Sequence, residues 1–146
     1  MQLLKFISDE NIDSNFKAEN KEDALKKLAN LVVKGRNLNY DKILQVLKER
    51  EELGSTGIGH GVAIPHGKFE MDEDLIGAIA ISKEGVEFEA IDEKPVNIFF
   101  VFISSPEATN LHLKVLAKVS KLLMDDNFRT SLINANSKEE IKKLIS

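Results

Sequence analysis

The sequence predicts a layered α/β domain in which helices cover a largely buried β-sheet. Strand and helix patterns alternate along the chain, which is typical of sheets flanked by helices. The segment Val96 to Ile103 is almost entirely apolar, as expected of a central strand covered on both faces. The 146 residues are 42% apolar, and no linker or internal repeat divides them. We therefore expect a single domain over residues 1–146.

The chain is predicted to open with a short strand and an amphipathic helix. The strand is expected at Asn15 to Ala18. Apolar residues then recur at helical spacing from Ala24 to Val32, and the acidic Glu22 and Asp23 suit the positive end of a helix dipole. Gly35 comes shortly after the last apolar residue and is expected to end this helix.

A second helix is predicted from one apolar stripe, formed by Tyr40, Ile43, Leu44 and Leu47. Continuing the same spacing carries the stripe to Arg50. A guanidinium in that position extends outward along its aliphatic stem, forms a structural ion pair or is held by an anionic partner. The third alternative gains weight because a glycine-rich segment follows Arg50 within a few residues.

Three strands are predicted in the middle of the chain. Three apolar segments have the length of a strand: Val62 to Ile64, Leu75 to Ser82 and Val96 to Ile103. Pro65 cannot continue a central ladder, because it has no backbone N–H to donate. His66 is therefore expected to emerge at a strand end rather than inside the sheet.

A third long helix is expected to start at Ser105 with Pro106 in its first turn, with Thr109 as an alternative cap. Stepping back along its apolar stripe places His112 on the inward face. Because the positive end of a helix dipole disfavours imidazolium, we expect this imidazole to be neutral. The stripe consists of Val115, Leu116, Val119, Leu122 and Leu123. Two short helices, over residues 126–134 and 137–145, are expected to follow.

Composition excludes several classes of function. The chain has no cysteine, which excludes disulfides, thiol nucleophiles and cysteine-based metal sites. A net charge of −4 and the lack of a basic patch argue against nucleic-acid binding. The longest apolar run is far shorter than the roughly 20 residues of a membrane helix, and the amino terminus lacks the pattern of a signal peptide. We therefore expect a cytoplasmic protein without direct membrane insertion.

The segment Gly54 to Lys68 is the candidate functional site. It contains five of the eight glycines and two of the three histidines. Dense glycines allow positive φ and close backbone approach, and successive exposed N–H groups form a concavity suited to an anion. The imidazole of His66 is expected to face this loop, and a reactive imidazole beside an anion-binding loop indicates that the site handles a phosphate group. Ser55 and Thr56 either form turns or caps or contact the same phosphate.

Familiar glycine and histidine motifs do not describe this segment. A phosphate-binding P-loop fails, because Val62 stands where its first glycine belongs and Phe69 where its hydroxyl belongs. The dinucleotide fingerprint also fails, because the segment follows a helical pattern rather than a strand. His60 and His66 are six residues apart, which is not the spacing of a helical zinc motif. A three-histidine metal site that includes His112 remains a distant alternative.

These residues resemble the enzyme IIA domain of the bacterial phosphoenolpyruvate-dependent sugar phosphotransferase system, in its fructose/mannitol class. The resemblance extends over nearly the whole chain. It is carried by Arg50-Glu51, Ser55 to Gly59, Gly61 to Gly67, Ile91 to Pro95, Ser105 to Glu107, His112-Leu113, Leu122 to Asp125 and Phe128-Arg129. It implies one three-layer α/β domain with a mixed β-sheet flanked by helices on both faces.

The resemblance also implies a phosphoryl relay. The phosphocarrier protein HPr would phosphorylate His66, which would pass the group to an enzyme IIB that phosphorylates an incoming sugar. Arg50 matches the site arginine of the family and would bind the transferring group, together with backbone N–H groups near Gly59 and Gly61. His112 matches a second, supporting histidine. No cofactor and no metal are implied.

A regulatory branch of the same family provides a second hypothesis. Stand-alone domains of that branch, associated with nitrogen control, bind target proteins according to the phosphorylation state of the histidine. The segments Ser82 to Val86 and Leu132 to Ala135 resemble the fructose transport branch more closely. Fructose transport is therefore the first expectation, with an exposed rim around the loop for the partner proteins.

Overall fold

The fold is an open, mixed β-sheet with helices on both faces, as predicted. The computed structural model describes residues 2–146. Its six strands are β1 (Ile12–Asp13), β2 (Gly57–Gly59), β3 (Val62–Ala63), β4 (His66–Lys68), β5 (Leu75–Val86) and β6 (Val96–Ser104). Its five α-helices are α1 (Lys21–Val33), α2 (Tyr40–Glu52), α3 (Thr109–Leu122), α4 (Asp126–Asn134) and α5 (Lys138–Ile145).

Strand β6 is the centre of the sheet. The strand order is β1-β5-β6-β3-β2, and β4 pairs with β6 beyond the end of β3. Strands β5 and β6 are antiparallel, with Ala80 opposite Phe99, whereas β3 and β4 both run parallel to β6. The prediction of a central apolar strand at this position is confirmed.

Alternate side chains of β6 enter two separate cores. Phe99, Val101 and Ile103 face the core that is closed by α1 and α2. Side chains on the opposite face pack with α3, α4, α5 and the segment from Leu3 to Ile12; they are Ile98, Phe100 and Phe102. This alternation follows from the two-residue period of a strand and produces the three layers.

The predicted helices lie where their apolar stripes placed them. Helix α1 is capped by Asn20 and ends before Gly35, which has a φ of 74°. The predicted spans of α2, α4 and α5 are confirmed, with caps at Asn39, Asp125 and Ser137. Within residues 2–146, none of the helices has both the length and the apolar character needed to cross a membrane.

The strand predicted at Asn15 to Ala18 is wrong. The strand in this region is β1, and Ile12 lies opposite Ile79 of β5. The Asp13 carboxylate accepts the N–H of Asn15 at 2.9 Å, a local turn that competes with strand pairing. Phe16 is nevertheless buried, and its N–H donates to the carbonyl of Ile81. Phe16 is therefore apolar because it is buried in the core, and not because it belongs to a strand.

The third long helix begins later than Ser105. Pro106 to Ala108 form a 3₁₀ turn, for which the Ser105 side chain makes no capping hydrogen bond. Helix α3 then starts at Thr109, so the alternative prediction that Thr109 is the cap is also wrong: the cap position is Ala108, which makes no side-chain capping hydrogen bond. Because only four residues separate β6 from α3, the helix folds directly back over the end of the strand.

Gly67 sets the distance between β4 and α2. A Cβ atom at this position would lie 2.3 Å from Cγ1 of Val46. The strand therefore packs against α2 without a side chain between them. This close packing brings the carboxyl end of α2, which carries Arg50, beside the start of β4.

Gly67→Ala is expected to reduce the free energy of unfolding by about 1–3 kcal/mol, because the added methyl overlaps a stiff valine side chain. Urea denaturation of the purified chain would measure this loss. Val46→Ala removes the overlapping atom, so the double variant Gly67→Ala/Val46→Ala should lose less than the sum of the two single variants. Purely additive losses would contradict the proposed steric contact.

Candidate functional site

His66 is the first residue of β4 and lies opposite Phe102 of β6. The prediction that Pro65 interrupts the strand is correct for β3, which ends at Ala63. His66 lies at a strand end, as expected, but this end belongs to a further strand of the sheet, because the chain returns to the same edge of β6 after the proline. The Pro65 carbonyl accepts the N–H of Phe102 and so maintains the contact with β6 across the gap.

One hydrogen bond determines which nitrogen of His66 is free. Nδ1 lies 2.8 Å from the carbonyl oxygen of Ile64. Since a carbonyl oxygen only accepts, Nδ1 carries the proton and donates it. Nε2 then retains its lone pair. The half-buried His66 is therefore oriented as a nucleophile through Nε2.

His112 lies beside His66, and its side chain is buried, as predicted. The two ring centroids are 5.5 Å apart, with an interplanar angle of 81°. Nδ1 of His112 lies 2.9 Å from Oγ of Ser104. Nε2 is buried and has no hydrogen-bond partner among residues 2–146. The hydrogen-bonding capacity of this atom is therefore unused in the protein without a bound group.

Both histidines favour the neutral form. Burial lowers the pKa of His66, the hydrogen bond to Ile64 opposes this change, and the nearby charge of Arg50 lowers the pKa further. Burial is also the largest cause that lowers the pKa of His112 to about 4, followed by the proximity of His66 and Lys68. The predicted neutrality of His112 agrees with this direction, although burial is its main cause.

Arg50 lies in the last turn of α2 and is half-buried. Its Nη1 donates to the carbonyl of Gly54 at 2.9 Å. Arg50 has no salt bridge within residues 2–146, which leaves its other guanidinium donors available. The arginine is also close enough to lower the pKa of His66. The structure thus brings Arg50, His66 and His112 together.

Glu51 is a site residue that the sequence analysis did not identify. Its buried carboxylate accepts from the N–H of Thr56 at 2.9 Å and from Oγ1 of Thr56 at 2.5 Å. The same carboxylate accepts from Nζ of Lys21 at 2.8 Å. The available signal was an acidic residue at the next position of the α2 stripe. Glu51 ties the loop after α2 to helix α1.

Ser55 and Thr56 lie in the loop next to Arg50, but their side chains bond within the protein. Ser55 Oγ accepts the N–H of Gly57 at 3.0 Å, a turn contact. The Thr56 hydroxyl donates to the Glu51 carboxylate, and the Thr56 carbonyl accepts the N–H of Ile64. Both residues therefore shape the loop. The structure shows neither hydroxyl directed at His66.

Gly59 and Gly61 lie at the other end of the sheet from His66. They form the turn between β2 and β3, with φ values of 98° and 75°. The register pairs Val62 with Ile98 and His66 with Phe102, four residues further along β6 and about 13 Å away. The structure does not bring these two glycines to His66, so their N–H groups lie too far away to contact a group bound to it.

His60 lies in the same distant turn, with its N–H bonded to the Asp92 carboxylate. The three histidines therefore do not meet, and the three-histidine metal hypothesis loses its geometric basis. Across residues 2–146, no group of three or more metal-ligating side chains is found.

The fold places the chain among enzyme IIA proteins of phosphotransferase systems. The crystal structure of Nitrogen Regulatory Protein IIA-Ntr from Neisseria meningitidis matches it with a TM-score of 0.91 and 31% identity, over 97% of each chain. Residues 5–146 match the family model described as phosphoenolpyruvate-dependent sugar phosphotransferase system, EIIA 2. The chain belongs to this family, which confirms the resemblance found in its motifs.

Relatives from both branches of the family align with the chain. A nitrogen regulatory protein from Klebsiella oxytoca is 33% identical over 147 residues, covering 100% of this chain and 91% of the relative. A fructose-specific EIIA component from Haloferax volcanii is 35% identical over 127 residues, covering 86% of this chain and 82% of the relative. Similarity alone therefore does not separate regulation from transport.

The depressed pKa of His112 predicts a pH-dependent stability. As the pH falls, the unfolded chain takes up the proton near 6.5, whereas the folded state resists protonation until about pH 4. Stability is therefore retained above pH 6.5 and declines toward pH 4, by up to roughly 3 kcal/mol from this residue. Urea unfolding between pH 4 and 7 would measure the decline.

His112→Gln should remove this contribution and flatten the decline. His60→Gln provides the matched control, because it replaces an exposed histidine in the distant turn and should leave the slope of the wild type. Equal slopes in His112→Gln and wild type would contradict the assignment.

Proposed function

We propose that this chain is a cytoplasmic phosphoryl carrier that accepts a phosphoryl group from HPr on Nε2 of His66. It passes the group to an enzyme IIB for uptake and phosphorylation of a sugar, with fructose as the first candidate. One observation carries the proposal: the Ile64 carbonyl holds Nδ1–H of His66 and leaves the Nε2 lone pair free beside Arg50.

The chemistry of the transfer suits this arrangement. Nε2 of His66 forms a bond to phosphorus while the bond between phosphorus and the donor histidine breaks, so one N–P bond replaces another. Positive charge develops on the His66 ring, since Nδ1 keeps its proton. The Ile64 carbonyl, 2.8 Å from Nδ1, stabilises that charge. In the reverse direction the same ring is the leaving group.

Arg50 is expected to act on both His66 and the incoming phosphoryl group. Its positive charge disfavours imidazolium and so maintains the nucleophilic form of His66. The guanidinium donors left after the bond to Gly54 can bind phosphoryl oxygens, whose charge grows during a largely dissociative transfer. The neutral ring of His112, whose centroid lies 5.5 Å from that of His66, is expected to contact the same oxygens.

The surface around the site suits transient contact with another protein. Leu53, at the end of α2, is 85% exposed, and Leu113, directly after His112, is 60% exposed. Exposed apolar side chains next to a reactive group provide contact area for docking. A relay complex must dissociate between transfers, so we expect an interface near the small end of the usual range.

The nitrogen-regulatory function is the second candidate, and the similarity to nitrogen regulatory proteins over nearly their whole length supports it. In that function phosphohistidine is a switch. The phosphoryl group adds about two negative charges beside the loop, which can create or abolish an interface with a target protein. Both candidates require the same modification of His66.

Incubation with phosphoenolpyruvate, enzyme I and HPr is expected to add one phosphoryl group to the wild-type chain. The group should be acid-labile and absent from His66→Ala, since the bond is to an imidazole nitrogen. Intact mass measured before and after acid treatment would show this. The control His60→Ala changes an exposed histidine far from the site and should be phosphorylated normally.

Failure of the wild type to gain mass, with HPr shown to be charged, would refute both candidate functions. If phosphorylation occurs, discharge by an added fructose-class enzyme IIB supports transport. Stable phosphoprotein in the presence of enzyme IIB favours the regulatory candidate instead.

Leu53→Glu and Leu113→Glu are each expected to slow phosphorylation by HPr, because a charge replaces an apolar contact at the rim. Ile91→Glu is a matched control, since Ile91 is 69% exposed but lies near Gly59 and Asp92, away from His66. Quench-flow transfer rates would compare the three. Equal slowing by Ile91→Glu would indicate a general charge effect and contradict a rim around His66.

A further inference from the structure

Ser104 is the last residue of β6, and its side chain contacts His112. Its side chain is fully buried, and Oγ is 2.9 Å from Nδ1 of His112. The tight connection between β6 and α3 places the two residues in contact, although they are eight positions apart in sequence. Two buried polar groups meeting in this way determine each other's proton positions.

The direction of this hydrogen bond follows from counting protons. The Ser104 hydroxyl has one proton, and Nδ1 of His112 is its hydrogen-bond partner among residues 2–146. If Nδ1 donated instead, the hydroxyl proton would be left without an acceptor in a fully buried position. The hydroxyl therefore donates to Nδ1. The ring proton of neutral His112 must then reside on Nε2.

The result is a buried N–H donor that lacks an acceptor. Nε2 of His112 has no hydrogen-bond partner within the described chain, although the side chain is only 4% exposed. Leaving such a donor unpaired is unfavourable. The ring next to it is that of His66, with centroids 5.5 Å apart. A phosphoryl oxygen on His66 is an acceptor of the required kind.

We infer that Ser104 is a positioning residue that holds His112 in the Nε2–H tautomer, so that His112 donates a hydrogen bond to the phosphoryl group transferred to His66. This inference rests on the proposed phosphorylation of His66. The donor gains its partner as the phosphoryl group arrives, so its contribution favours the transition state and product over the free protein. The opposite tautomer would present a lone pair to the phosphoryl oxygens and repel them.

The first test reads the tautomer directly in the unphosphorylated protein. Ring ¹⁵N chemical shifts distinguish a protonated from an unprotonated imidazole nitrogen. Wild-type His112 should show Nε2–H at neutral pH, whereas Ser104→Ala should show a mixture of both tautomers. Ser104→Thr keeps the hydroxyl and should restore the wild-type pattern. Ser105→Ala is the matched control, because it removes a neighbouring buried hydroxyl that makes no capping bond.

The second test measures phosphoryl transfer with a donor that needs no docking. Phosphoramidate phosphorylates imidazoles directly: its P–N bond breaks, an N–P bond to His66 forms, and ammonia leaves. Ser104→Ala should slow this reaction about tenfold, near the low end for losing a partner that orients a functional histidine at metal sites. Ser105→Ala should react as wild type. Combining Ser104→Ala with His112→Ala should add nothing to His112→Ala alone.

The two proposals fail in different ways. Phosphorylation by phosphoramidate but not by charged HPr would refute the relay and leave the role of Ser104 standing. A wild-type His112 protonated on Nδ1, or a Ser104→Ala variant with an unchanged tautomer or rate, would overturn the inference about Ser104. Equal effects of Ser104→Ala and Ser105→Ala would also overturn it.

Discussion

Burial of both faces of β6 is the constraint on which the remaining structure depends. Because adjacent residues such as Phe99 and Phe100 enter opposite cores, each core needs its own covering layer of helices. Helices α1 and α2 close one core, while α3 to α5 close the other. Since α3 must return over the strand that precedes it, His112 is carried to the carboxyl end of β6. The functional site therefore follows from how the chain covers its central strand.

The neutral state of the two histidines also originates in packing. Burial is the largest cause that lowers the pKa of both His66 and His112. The charge of Arg50 lowers the pKa of His66 further, since a guanidinium repels a proton and attracts an anion. The Glu51 carboxylate accepts hydrogen bonds from Lys21 and Thr56, and its charge opposes that of Arg50 by raising the pKa of His66 slightly. The same hydrogen bonds hold the loop after α2 against α1.

Local sequence signals predicted most of the fold and part of the site. Apolar periodicity located the long helices, each of which buries one face, and an unbroken apolar run located β6, which buries both faces. It failed at Phe16, where burial occurs without strand pairing, and it could not show that Gly59 and Gly61 lie far from His66. That separation is set by the register against β6, a nonlocal property. Glu51 was missed because a carboxylate on an apolar stripe finds its partners only after α1 and the loop have packed.

The hydrogen bond from His66 to Ile64 spans two residues of the same chain, with Pro65 between them. Proline restricts the backbone of that segment, so the tether is short and stiff. The orientational entropy of the imidazole is lost during folding rather than at each encounter with a partner. In the proposed phosphoryl relay, ring reorientation would therefore add no delay to the transfer, and the encounter complex could be correspondingly short-lived. A carrier of the proposed kind, which reacts with a donor and then with an acceptor, would benefit because neither partner has to orient the imidazole.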